Sequence, residues 1–172
     1  MFNKKLFIKN KGFTMVELLI TIFVLLIGLL AVYSLSVYII SQTNASISRL
    51  TAAYLAQEGI EVVRNIRDTN WIQRVSVWNG LNDGSYEVDY ATGAADLVSC
   101  ADPCDYDNNL RFLSISGGFY KYSGGEITKF KRRVSISAIG DTRKMIVTVY
   151  WKDKGEIKFI SAQENLYNWY NP

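Results

Sequence analysis

No histidine occurs in the 172 residues, and that absence removes the commonest general base and the commonest metal ligand together. Two cysteines are too few for a tetrahedral thiolate zinc site. No nucleophile stands in a recognisable arrangement with a base, so the sequence predicts no enzyme and no cofactor. Proline is scarce as well: the two are Pro103 and Pro172, which leaves everything before them free of the strongest helix breaker. Between Leu18 and Ser48 there is no Asp, Glu, Lys or Arg. A helix on an aqueous surface would carry charges on one face, so this stretch needs another solvent.

What fills the uncharged stretch is apolar. Leu18 to Ile40 reaches the ~20 residues needed to cross a bilayer core, which predicts a membrane-spanning segment. Before it stand Lys4, Lys5, Lys9 and Lys11 with no acid among them. By the positive-inside bias the N-terminus stays cytoplasmic and the C-terminal part crosses, giving a single-pass inner-membrane protein with an extracytoplasmic head. An ordinary secretory signal would have a shorter apolar core followed by a small-residue cleavage site. Without the four leader lysines, the 19 basic residues fall to 15 against 16 acids, so the formal charge moves from +3 to −1. The basic balance of the whole chain therefore gives no ground for a polyanion partner, and no nucleic acid is expected. The length beyond the anchor suits one small domain.

The junction between leader and apolar run is the most specific feature. Gly12-Phe13-Thr14-Met15-Val16-Glu17, after a short lysine-rich leader and before a long apolar helix, resembles the prepilin signature of type IV pilins and type II secretion pseudopilins. The resemblance implies a cut by prepilin peptidase between Gly12 and Phe13, and N-methylation of Phe13 as the new first residue. It also implies a division into a leader (1–12), a transmembrane or filament-core half-helix (13–44) and a globular head (45–172). The fold implied is α+β, one long N-terminal helix packed on a small antiparallel sheet. The partners implied are other pilin or pseudopilin subunits, the peptidase, an inner-membrane assembly platform and the lipid bilayer. Tyr54 to Arg67 is similar to the helix of PilV-like and GspI-like minor subunits. A proline common in the protruding half of major pilins is replaced here by the neighbourhood of Ser34 and Ser36.

Glu17 sits at the head of the apolar run, where a carboxylate costs several kcal/mol unless it is paired or neutral. The resemblance assigns it the N-terminal amine of an adjacent subunit, an assembly contact that fixes register because one unpaired buried charge costs ~3–5 kcal/mol. An interfacial glutamate reaching back to the cytoplasmic surface is the alternative. Two further functional readings stay open, an adhesin or DNA-uptake subunit using the basic strands Lys129 to Lys158 or the aromatic tail, and an uncleaved bitopic protein.

Helical spacing predicts one helix from Phe13 to about Ile66, some 80 Å at ~1.5 Å per residue. Its second half shows a stripe of Ile47, Leu50, Tyr54, Leu55, Val62 and Ile66, expected to pack on the head. Arg49, Glu61, Arg64, Arg67 and Asp68 are expected on the solvated side, with Glu61/Arg64 and Arg64/Asp68 at pairing distance. Ser85 to Tyr90 reads as a strand with Tyr86, Val88 and Tyr90 on one face and Glu87 and Asp89 on the other. Arg111 to Ile115 and Phe119 to Tyr122 flank a Ser-Gly-Gly turn as a hairpin. Ile127 to Ala138, Met145 to Trp151 and Ile157 to Ile160 read as a three-stranded meander whose middle strand is buried on both faces. Leu166, Tyr167, Trp169 and Tyr170 are too aromatic to stay in water and are expected to pack back.

Cys100 and Cys104, in an exported segment with Pro103 between them, are expected to close a disulfide, with free thiols as the alternative. Asp105, Asp107 and Asn109 alternate like the opening of a calcium loop, but Leu110 stands where glycine is wanted, so a turn is the favoured reading. Asp68 to Asn109 carries eight acids and one base, Arg111 to Lys158 eleven bases and four acids. Solvated surface is the plain account. The functional one is complementary patches on successive subunits, in which reversing Lys131, Arg132 and Arg133 impairs incorporation and leaves the head folded.

Overall fold

The computed structural model describes residues 12–93 and 95–169. The leader lysines and Tyr170 lie outside the described residues. Helix α1 (Met15–Ile72) is followed by strands β1 (Gly84–Glu87), β2 (Val98–Ser99), β3 (Phe112–Ser116), β4 (Phe119–Lys121), β5 (Glu126–Ile139), β6 (Thr142–Asp153) and β7 (Glu156–Tyr167). The architecture is α+β, with a helix against an antiparallel sheet. The chain divides into two compact units, residues 1–44 and 45–172.

In the first unit α1 is apolar all round, and its large hydrophobic side chains from Met15 to Ile40 are exposed. By length and composition α1 can cross a membrane. Two of its hydroxyls are satisfied locally, which suits a medium without water: Thr21 Oγ1 donates to the carbonyls of Glu17 and Leu18 at 3.0 and 2.8 Å, and Ser36 Oγ donates to that of Val32 at 2.9 Å.

In the second unit the sheet is built on β5. One edge of β5 pairs with β6 from Phe130↔Trp151 to Ile139↔Thr142. Its other edge is shared, with β1 opposite Val134 to Ile136 and β3 opposite Glu126 to Lys131. β6 is then paired along its length by β7. Val134, Ile136, Met145, Val147, Val149 and Trp151 form the core with the buried side of α1. Each such side chain contributes ~1.5–3 kcal/mol by leaving water. On the far face of β6, Thr148 is buried but Ile146 and Tyr150 are only half-buried, so the middle strand is less enclosed than the sequence predicts.

The helix face against the sheet differs from expectation. Ile47, Leu50 and Tyr54 are 56 %, 56 % and 64 % exposed, while Ser48, Ala52, Leu55, Ala56, Gly59, Val62, Val63 and Ile66 are buried. The cause is closeness of approach: a Cβ on Gly59 would stand 2.9 Å from Val147 Cγ1 and 3.2 Å from Arg132 Cδ. Small residues let the helix backbone lie on the strands, and the bulkier stripe turns outward.

Charged residues show the same inversion. Arg132 continues the inward row of Val134 and Ile136 and is fully buried, and Lys131 is buried too. Arg132 Nε and Nη2 donate to the Val88 carbonyl at 3.1 and 2.6 Å. Its Nη1 donates to the Leu55 carbonyl at 2.9 Å and to Glu58 Oε1 at 3.2 Å. One guanidinium thus ties α1, β5 and the end of β1 together. The expectation that the Lys131 to Arg133 triplet is a surface patch that can be reversed with the head left folded is therefore wrong, because Arg132 is fully buried in the helix-facing row, Lys131 is buried and Arg133 is half-buried. Glu87 is likewise buried rather than solvent-facing, and accepts from the Arg111 backbone N–H and from Arg111 Nε at 2.5 and 2.6 Å. Arg67 is buried as well. It pairs with Asp68 at 2.9 Å and lies over the Trp71 ring, while Arg64 bonds Glu61 and Glu164 at 2.5 and 2.6 Å, in place of the expected Arg64/Asp68 pair.

The helix outlasts its predicted end by six residues, and the buried Asn70 near its end ties the following loop to it, donating its amide to the Val77 and Asn79 carbonyls. β7 likewise extends past Ile160 to Tyr167, because Ile160, Ala162 and Leu166 alternate inward while Ser161, Gln163 and Asn165 face water. Leu166 is buried, and Trp169 packs edge-on against Trp71 with ring centres 4.7 Å apart.

Candidate assembly site

Gly12, Phe13 and Thr14 precede α1 in non-helical backbone. A Cβ at Gly12 would meet nothing within 4 Å, and Phe13 is exposed. The Gly12–Phe13 peptide bond thus lies in exposed backbone ahead of the helix. Thr14 Oγ1 accepts the Glu17 N–H at 3.2 Å, and the Thr14 carbonyl accepts from Leu18. This is half of a capping box, Thr-x-x-Glu, with the acid in the first turn where the helix dipole favours it. The signal for it stands in the sequence as Thr14 and Glu17, overlapping the cleavage motif.

Glu17 is exposed, and among the described residues its carboxylate makes no hydrogen bond or ion pair. In the uncut chain the Phe13 nitrogen is a peptide nitrogen. A free cationic amine there, four residues before Glu17, would exist only after cleavage behind Gly12. Chemically, the segment can supply one scissile bond, one new amine and one carboxylate on an apolar helix.

In the head, Cys100 and Cys104 form a disulfide (S–S 2.13 Å). The two cysteines and Leu110 make a small cluster against Tyr150. Asp105 Oδ1 accepts from the backbone N–H of Asp107 and Asn108 and from the Asn108 side chain, at 3.0, 3.0 and 2.9 Å. These bonds, the Asn108 side chain first, hold the Asp105 carboxyl below the usual range. Asn109 adopts φ 60° and donates its amide to the Ala101 and Pro103 carbonyls. Asp105, Asp107 and Asn109 therefore build a turn locked under the disulfide. Among the described residues no group of three or more Cys, Asp or Glu is arranged to hold a metal.

The basic strands offer less free charge than their composition suggests. Besides buried Arg132, Lys131 donates to the Tyr106 carbonyl, Arg133 to the Cys104 carbonyl, and Arg111 is held by Glu87. The acidic and basic segments meet within one chain at Glu87–Arg111, and Arg132 pairs with Glu58 of α1. Tyr122, near this cluster, has its phenol pushed well above the ordinary value by burial, and its O–H donates to the Arg132 carbonyl.

Residues 8–33 match the family model of the prokaryotic N-terminal methylation motif. No curated protein and no solved structure matches the chain. The motif is the type IV pilin and pseudopilin signal, and it supports a pilin-like or pseudopilin substrate of prepilin peptidase, membrane-anchored in the cell envelope.

Proposed function

We propose that this chain, which carries the N-terminal methylation motif on an apolar helix, is a minor pilin or minor pseudopilin of a type IV pilus or type II secretion-like filament. The observation that carries the reading is the motif at residues 8–33 joined to an apolar half-helix and a sheet-backed head. In this account prepilin peptidase cuts between Gly12 and Phe13 and the new Phe13 amine is methylated. Glu17 then meets the Phe13 amine of a neighbouring subunit inside the filament. Export, processing and assembly order follow from that one segment: until Gly12 is removed, the cation that Glu17 needs is not there. The assembly platform lifts the processed subunit out of the bilayer, and the apolar helix exchanges lipid for other helices. The cytoplasmic leader and the single crossing of the inner membrane belong to the same proposal.

Support for a structural role comes from the head, whose buried polar groups are spent on holding its own strands: Arg132 on three carbonyl and carboxylate partners, Glu87 on Arg111. The reading is tested by recovering sheared surface filaments from cells bearing a tagged copy. A minor subunit is found in that fraction, far below the main fibre protein in amount, and disappears from it when the peptidase is deleted. Recovery only in the inner membrane, with or without the peptidase, would contradict filament membership.

A further inference from the structure

The sheet ends on strands of unequal kind. β2 has two residues and β4 three, so each offers little unpaired backbone. β7 has twelve, in unbroken register against β6 from Asp153↔Glu156 to Thr142↔Tyr167, and among the described residues its other side pairs with nothing. Alternate residues of β7 therefore turn N–H and C=O groups outward in a straight row, a ready template for another strand. Of the usual protections β7 has no proline, no bulge and no short length, and keeps only its charges, Glu156, Lys158 and Glu164. Exposed Ile157, Phe159 and Tyr167 stand along it.

We infer that β7 is a self-pairing edge, joining two copies of this chain antiparallel about a two-fold axis through Ser161. The charges select the register. β7 carries one base, Lys158, and two acids, Glu156 and Glu164. With the axis at Ser161, Lys158 of each copy lies directly opposite Glu164 of the other, Ile160 opposite Ala162, and Phe159 opposite Gln163. No like charges oppose. Moving the axis one residue to Ile160 sets Glu156 against Glu164, and moving it to Ala162 sets both Lys158 and Glu164 against apolar residues. Directly opposed unlike charges stabilise an antiparallel pair, and like charges weaken it. Within each copy Glu164 already takes Arg64, which also holds Glu61, and Lys158 bonds Glu156. Pairing would extend these into one network crossing the interface.

The inference goes beyond the filament reading and, on that reading, places the pair in time. Subunits of a polar filament are related by a screw and all point one way, whereas the β7 pair is two-fold. The pair therefore belongs to the membrane-held pool and must part before incorporation.

The test is oxidative crosslinking of the full chain in membranes, with copper–phenanthroline as the oxidant that takes two electrons from each thiol pair. Ser161→Cys puts the thiol on the axis, where opposed Cα atoms lie ~4.5–5.5 Å apart, inside the range a disulfide spans. Asn165→Cys, equally exposed, lies about 27 Å from its own copy in this register. The expected result is a covalent dimer from Ser161→Cys and none from Asn165→Cys. Phe159→Cys mixed with Gln163→Cys should crosslink although neither does so alone, which covers any local disturbance at Ser161. Adding Lys158→Glu should lower the Ser161→Cys yield about fivefold. Equal yields at 161 and 165, or no dimer from 161 and from the mixed pair, would overturn the inference. N-terminal processing, measured on the same samples, reports on the filament reading separately.

Discussion

Replacing Arg132 with alanine should cost the head about 3–5 kcal/mol, an amount typical of removing one partner from a buried charged network. The structure sets the size. Arg132 is fully buried, and its loss leaves the Val88 carbonyl without two donors and the Leu55 carbonyl without one. Hydrogen bonds to charged groups are worth ~1.5–3 kcal/mol each, and a cavity is added where the stem ran. Glu58 offsets part of the loss, because its side chain is about one-third exposed and can rehydrate. Against a domain stability of ~5–15 kcal/mol, such a change is close to unfolding. Urea titration of the full chain in detergent, followed by tryptophan fluorescence with Trp151 in the core as the main reporter, should show the midpoint falling by about 2 M at a slope of ~2 kcal/mol per M. Lys152→Ala, on the exposed end of β6, should move it little. A fall below about 0.5 M for Arg132→Ala would refute the idea that this guanidinium joins helix and sheet.

Other expectations follow from single contacts. Gly59→Val should destabilise the head by about 1–3 kcal/mol in the same titration, since its Cβ alone meets Val147 at 2.9 Å; a neutral result would mean the helix is free to shift. Glu17→Gln keeps the capping-box pattern but removes the charge, so it should abolish recovery in the filament fraction while membrane insertion is unchanged; normal recovery would assign Glu17 to the cap alone. Gly12→Val should leave an unprocessed precursor, visible as a slower band, and complete processing would remove the assignment of the cut. Tyr122 has a folded-state value raised above its unfolded one, so its contribution is whole below the ordinary tyrosine range near 10 and falls as pH rises beyond it. Urea midpoints should therefore drop above about pH 10, and Tyr122→Phe should flatten part of that drop.

The elements of the fold were largely legible in the sequence, and their faces only in part: Leu55, Val62, Ile66, Val134 and Ile136 are buried as their spacing predicts. A proline-free apolar run followed by turn-punctuated alternation gives a helix and a meander, and both are present. Size misleads at Ile47, Leu50 and Tyr54, because the small Ala52, Ala56 and Gly59 decide how close the helix lies. Charge misleads at Lys131 to Arg133, because Arg132 keeps step with the buried Val134 and Ile136. Its partners, the carbonyls of Val88 and Leu55, are backbone atoms 44 and 77 residues away, and no local pattern announces them. The N-terminal segment was the most readable part, because its chemistry is contained in a few consecutive residues.

The central claim is that Phe13 becomes a free, methylated amine. Intact-mass and N-terminal peptide analysis of the chain recovered from membranes, with and without prepilin peptidase, tests it most directly. The account predicts a chain beginning at Phe13 with one added methyl group, and the full-length chain when the peptidase is absent. A chain still beginning at Met1 in both samples would contradict it.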